Sequence, residues 1–271
     1  MATLYVSDLD GTLLQSDGTL SDYTSRTVNA LVKKGMLFSY ATARSYETAR
    51  KVTAGLDVRI PLAVYNGAMV VHHFNGAPLI KNFFDAQIGC VLKDLLQNGV
   101  YPIVYAFIDG EEKFSYVRGK ENDAMRQFIQ TREGDRRANA VEDAQALYRG
   151  DIFYLSCIEE KEETLRPFYD RYSRQYRCLL QTDFYTRSKW LEMMPAQASK
   201  ANAAKQLKQW LHCEKLIVFG DGANDIDLFE AADEAYAVGN AAKTLKCVST
   251  AVIGSNDENG VANWLLKHYK A

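Results

Sequence analysis

The chain has 271 residues, 47% of them hydrophobic, and a formal net charge of -2. That length suffices for a large core in one big domain or two moderate ones. The dispersed basic residues argue against nucleic acid as a main partner. Five widely spaced cysteines without a C-x-x-C pair suggest neither a zinc site nor a disulfide framework. The first ten residues lack a signal-peptide pattern and no stretch reaches membrane-span length, so the expectation is a cytoplasmic protein without membrane attachment.

Leu4 to Ser7 reads as a buried strand ending at Asp8. Ser21 caps a predicted helix whose apolar positions Val28, Leu31 and Val32 recur at helical spacing, and Gly35 fits its stop. Met36 to Ala41 is a second strand, Ser45 to Ala54 a second helix, and Pro61 to Tyr65 a third strand. Apolar runs around Phe74-Asn75-Gly76-Ala77 predict a hairpin, read as a hinge. From about Phe83 to about Arg187 the pattern changes, with tyrosine-rich strands such as Asp151 to Ser156, which reads as an inserted α/β domain. Ser199 to Leu211 is then a helix and Lys215 to Phe219 a buried strand, returning to the opening style. Strands alternating with helices predict an α/β fold with a parallel sheet. Ligands of such sheets bind beyond the carboxyl ends of the strands, so Asp8, Thr42 and Asp221 should meet at one edge.

Asp8-Leu9-Asp10-Gly11-Thr12 follows the first strand directly. Two carboxylates at i and i+2 can serve one site if Gly11 turns the chain: Asp8 as nucleophile, Asp10 as proton donor, with Mg²⁺ to neutralise a phosphate. An ordinary acidic turn is the competing reading. In Gly220-Asp221-Gly222-Ala223-Asn224-Asp225, Asp221 can complete a Mg²⁺ site begun by Asp8 and the Asp10 carbonyl, while Asn224 and Asp225 hold metal waters or phosphate. This too could be an acidic turn before a helix. Thr42 and Ala43 end a strand where a hydroxyl and free N–H groups could bind phosphate, against a simple strand end before a helix cap, and Lys200 opens a helix where it could offset the site's charge, against an ordinary solvated lysine. The four histidines form no constellation, and the aromatic residues of the insert, including Tyr101, Tyr105, Phe114, Tyr116, Phe153 and Tyr154, read as strand packing.

In order, Asp8-x-Asp10-Gly11-Thr12, Thr42, Lys200 and Gly220-Asp221-x-x-Asn224-Asp225 resemble the four motifs of the haloacid dehalogenase superfamily. Asn66-Gly67-Ala68, Glu192 to Pro195, Val238-Gly239-Asn240-Ala241 and Glu258-Asn259-Gly260-Val261 resemble its Cof-like sugar-phosphatase branch. The resemblance implies a Rossmann-like core, residues 1–82 and 188–271, with helices on both sheet faces, and an α/β cap, residues 83–187, that carries substrate specificity. It implies an Asp8 aspartyl-phosphate, Asp10 as acid and base, and phosphate binding by Thr42, the Ala43 N–H, Lys200 and Asn224. Mg²⁺ would be held by Asp8, the Asp10 carbonyl and Asp221, with Asp225 in support. The expected activity is hydrolysis of small phosphate monoesters. A phosphosugar mutase or a non-catalytic phosphate sensor are the alternatives, and the sequence leaves the substrate and oligomeric state open. Ala43 stands where relatives usually have Gly, and Leu228 replaces a frequent Met, a nearly volume-conserving change.

Overall fold

The computed structural model describes residues 2–183 and 186–270. It forms two compact units: the first runs to Lys81 and resumes at Ala198, and the second is Asn82–Gln197.

The first unit opens with β1 (Thr3–Ser7), α1 (Asp22–Lys33), β2 (Leu37–Tyr40) and α2 (Tyr46–Val52). The Ser21 and Ser45 side chains accept hydrogen bonds from the Thr24 and Thr48 N–H groups, which satisfies donors the first turns of α1 and α2 leave open. α1 ends where Gly35 takes φ +98°. The next strands, β3 (Leu62–Val64), β4 (Met69–Val71) and β5 (Pro78–Lys81), form an antiparallel sheet containing the predicted hairpin. A parallel bridge from Ala41 to Ala63 joins β3 to the end of β2.

In the second unit α3 (Ile88–Gln97), β6 (Ile103–Ile108), β7 (Glu111–Val117), α4 (Asp123–Gln130) and β8 (Ala138–Val141) come first. β9 (Asp151–Glu159), α5 (Glu162–Tyr172), β10 (Arg177–Thr182) and β11 (Lys189–Met194) follow. The mixed sheet has the order β10-β11-β9-β6-β7-β8. Period-two alternation sends Val104, Leu155, Cys157, Leu191 and Met193 into one apolar core with Leu92 and Leu95 of α3 and Leu165 and Phe168 of α5. Tyr105 packs against Phe114 and Tyr154, at ring centroid distances of 6.0 and 5.6 Å. The unit ends at Gln197 rather than at residue 187, because β11 pairs antiparallel with both β9 and β10 and so lies inside this sheet.

The first unit resumes with α6 (Lys200–Trp210), β12 (Lys215–Gly220), α7 (Ile226–Ala231), β13 (Glu234–Ala237), α8 (Lys243–Cys247), β14 (Ala251–Val252) and α9 (Gly260–His268). Its sheet is parallel throughout, in the order β14-β13-β12-β1-β2. α1 packs with α9 and α6 with α7, two helix pairs against one sheet. β1 and β12, adjacent interior strands, are buried almost throughout, as expected of a sheet covered on both faces. No helix among the described residues is long and apolar enough to cross a membrane.

Candidate active site

Asp8 is the first residue past β1, with its N–H bonded to the Phe219 carbonyl of neighbouring β12 at 2.9 Å. Asp10 (φ -69°, ψ 124°) and Gly11 (φ 73°, ψ -3°) then make the two central residues of a type II turn. The second central position needs positive φ, which glycine adopts without strain. Gly11 is also needed for space, since a Cβ there would lie 2.4 Å from Asp221 Oδ2. Thr12 donates its hydroxyl to Asp221 Oδ1 at 2.9 Å, so the turn after β1 orients the carboxylate that follows β12.

Lys200, the first residue of α6, is 1% exposed. Its Nζ lies 2.6 Å from Asp8 Oδ1 and 2.7 Å from Asp225 Oδ1. Asp225 is fully buried, and its Oδ2 accepts the Asp221 and Gly222 N–H groups, both at 3.1 Å. One Asp225 oxygen therefore fixes Lys200 and the other shapes the Asp221 loop.

The start of α6 is itself held by an unusual turn. Tyr65, Asn66 and Gly67 take φ of 52°, 51° and 86°, and a Cβ on Gly67 would meet the Ser199 carbonyl oxygen at 2.2 Å. Ser199 caps α6 by accepting the Asn202 N–H. Gly67→Ala should therefore displace the helix end that carries Lys200. The expected result is lower thermal stability together with lost activity, whereas Gly99→Ala, also at positive φ but with open space around it, should cost stability alone. Thermal denaturation and turnover of the two variants check this.

Thr42 lies beyond β2 and is completely buried; its N–H bonds to the Ala63 carbonyl and its Oγ1 accepts the Arg44 N–H. The Ala43 N–H has no partner among the described residues, and Ala43 keeps negative φ, so alanine in place of glycine leaves that donor available. Asn224 Nδ2 approaches Asn66 Oδ1 at 3.5 Å, at the outer limit of hydrogen bonding. The Asp10 carboxylate turns to Arg44, with Nε to Oδ2 at 2.7 Å and Nη2 to Oδ1 at 2.6 Å.

Asp8, Asp221 and Asp225 each bring an oxygen within 4.8 Å of the others. Three carboxylates against the single ammonium of Lys200 leave two negative charges uncompensated when all are ionised. Burial pushes the Asp8 carboxyl well above the ordinary range, with Lys200 opposing and Asp225 and Asp221 adding to the rise. Burial and then Asp225 push Asp221 up to about 6, against the Thr12 hydroxyl and Lys200. Burial alone would lower Lys200, but Asp225 and Asp8 outweigh it and hold the ammonium charged. A hard divalent cation of the Mg²⁺ type, which prefers oxygen ligands, fits this donor set and its excess charge. Asp8 and Asp221 could hold it, since both Asp225 oxygens already serve Lys200 and the loop.

The sequence profile of the haloacid dehalogenase-like hydrolases matches residues 5–265. The chain belongs to that family. It is 27% identical to the 5-amino-6-(5-phospho-D-ribitylamino)uracil phosphatase YwtE of Bacillus subtilis, over 95% of each chain. It is 23% identical to a second phosphatase of that name, YitU, from the same organism, over 98% of this chain and 97% of the relative. Among solved structures, a haloacid dehalogenase-like hydrolase from B. subtilis shares the fold with a TM-score of 0.79 at 21% identity, covering 98% of this chain and 99% of that one.

Several contributors had no role assigned from sequence. Thr12 closes the first quoted motif and Arg44 directly follows Thr42 and Ala43, but their partners, 209 and 34 positions away, are not visible in the chain order. Asn240 donates from Nδ2 to the Gly11 carbonyl at 2.7 Å, and Asn256 from Nδ2 to the Leu14 carbonyl at 3.1 Å, together steadying the loop after Asp8. Asn240 lies within the quoted Val238-Gly239-Asn240-Ala241 and Asn256 two residues before Glu258-Asn259-Gly260-Val261, segments that carried no chemistry of their own.

Proposed function

We propose that the protein is a Mg²⁺-dependent phosphatase that hydrolyses phosphate monoesters of small metabolites through an aspartyl-phosphate on Asp8. The observation that carries this reading is Asp8 itself, buried at the carboxyl end of a central strand, 2.6 Å from Lys200 and grouped with Asp221. The Asp8 carboxylate attacks phosphorus and Asp10 gives a proton to the departing alcohol. Asp10 then takes a proton from the water that hydrolyses the acyl phosphate. Lys200, the Thr42 hydroxyl, the Ala43 N–H and Asn224 hold the phosphate. Asp8, the Asp10 carbonyl and Asp221 would hold Mg²⁺, with Asp225 supporting; when bound, the ion supplies positive charge for the phosphoryl oxygens.

For substrate class, the reading favours sugar and polyol phosphates. Its support is the substrate printed in the names of YwtE and YitU, a ribitylamino compound bearing phosphate. Selection of the leaving group is assigned to the second unit. A panel of phosphorylated metabolites, assayed with and without Mg²⁺, tests the proposal. Mg²⁺-dependent release of free phosphate, ranked highest for sugar or polyol phosphates, is the expected result. Exclusive isomerisation with no phosphate released would reject it in favour of a mutase.

The carboxyl groups also predict how metal and pH act together. Asp221 is raised from an ordinary 3.8 to about 6 in the folded protein, so the native state binds more protons than the unfolded chain between those values. Stability from this group is then present below pH 4 and lost as pH rises through about 6. Mg²⁺ binds the deprotonated form, so its stabilising effect should be small at pH 5 and larger at pH 7.5. Thermal melts in EDTA and in Mg²⁺ at both pH values measure this, and a larger Mg²⁺ effect at pH 5 would contradict the assignment.

A further inference from the structure

We infer that Arg44 is the positioning residue for Asp10, gripping its carboxylate at two points and thereby setting where the proton for the departing alcohol is delivered. This rests on the reading of Asp10 given under the proposed function. The contacts are Nε to Oδ2 at 2.7 Å and Nη2 to Oδ1 at 2.6 Å, a fork-to-fork pairing that fixes the carboxylate plane as well as its distance.

Both ends of the pair are anchored. The Arg44 N–H bonds to Thr42 Oγ1 at 3.1 Å and its carbonyl accepts the Tyr65 N–H at 3.0 Å. Directly after it, Ser45 caps α2. Asp10 sits on the turn that Gly11 permits and Asn240 supports. The two side chains are 24% and 36% exposed, so the pair is open to an arriving ligand while a free carboxylate there would sample several rotamers. Restricting the donor to one orientation is what proton transfer in the transition state rewards.

The step balances on the atoms named. As an Asp8 oxygen bonds to phosphorus and the phosphorus–oxygen bond to the alcohol breaks, the leaving oxygen takes the proton carried on one Asp10 oxygen while the other keeps its guanidinium contact, and the carboxylate left behind takes up both contacts. Lysine offers a single point of charge in place of the fork, so it can restore attraction but not the plane.

The effect must depend on how much the leaving oxygen needs a proton. An alkoxide leaving from a sugar phosphate needs one; p-nitrophenolate does not. We expect Arg44→Gln to lower kcat/KM for a sugar phosphate by about tenfold to a hundredfold, within the range general acid catalysis supplies, with p-nitrophenyl phosphate little affected. Arg44→Lys should fall between, and Arg44→Gln added to Asp10→Asn should cost nothing further on the sugar phosphate. Retained kcat/KM for p-nitrophenyl phosphate, which ends with departure of the leaving group and so omits the later base step of Asp10, shows that a variant is folded; if Arg44→Gln is insoluble, Arg44→Lys carries the comparison. An equal loss on both substrates, as a direct phosphate contact would give, overturns the inference. If Asp10→Asn depends on the leaving group and the Arg44 variants do not, the inference fails and the proposed function stands. If Asp10→Asn shows no such dependence, the acid role of Asp10 fails and takes this inference with it.

Discussion

Asp8→Asn is expected to abolish phosphate-ester hydrolysis while leaving the protein folded. Asparagine has nearly the shape of aspartate, and its amide oxygen can still accept the Lys200 hydrogen bond now made at 2.6 Å. What it lacks is the anionic oxygen that attacks phosphorus. Loss of a nucleophile from a catalytic group acting as a unit costs roughly 10⁴-fold or more. The substitution also removes one of three crowded carboxylates, and burial holds the Asp8 carboxyl above its ordinary range. In EDTA at neutral pH the variant should therefore be no less stable than the parent. Phosphate release and thermal denaturation measured on the same preparation check both halves. Hydrolysis within tenfold of the parent would remove Asp8 from the nucleophile's role.

Lys200→Met should have the largest effect on stability. Its ammonium is 1% exposed and is the shared partner of Asp8 and Asp225. Methionine keeps much of the stem's volume but leaves two buried carboxylates without their cation. Breaking a buried pair in this way typically costs about 3–5 kcal/mol. The cost should depend on pH with a definite sign. Lys200 lowers the Asp8 and Asp221 carboxyl values, so removing it raises them further, and protonation relieves the buried charge. The destabilisation is then full at pH 7.5 and smaller at pH 5. Urea midpoints at the two pH values test this, and equal losses at both would show that packing rather than charge is responsible. Activity should fall about a hundredfold or more, as when one preorganised donor to a reacting anion is removed.

These two variants probe a cluster that was only partly legible beforehand. The strand before Asp8 and the one before Asp221 announce themselves as short apolar runs broken by Asp and Gly, and the caps Ser21, Ser45 and Ser199 are local signals whose hydrogen bonds span three residues. The parallel sheet then brings the strand ends together by its topology, with Asp8 and Asp221 following adjacent β1 and β12. Lys200 was less legible, because a lysine at a helix start is usually solvated; here the Gly67 turn against Ser199 and the two carboxylates explain its burial. The end of the second unit was less legible for a related reason: the residues of β11 were read with the core, and only their pairing with β9 and β10 puts them in the insert's sheet.

The sequence by itself determined the alternating strands and helices, the caps, and the order of Asp8, Thr42, Lys200 and Asp221, because each depends on residues within a few positions of one another. Only the tertiary structure decided that Asp225 clamps Lys200 and the Asp221 loop, that Arg44 grips Asp10, and that the carboxylates outnumber the ammonium beside them. Those are matters of distance and burial between groups far apart in the chain, 192 positions for Lys200 and Asp8. Electrostatic energy depends on that spatial separation and on access to water.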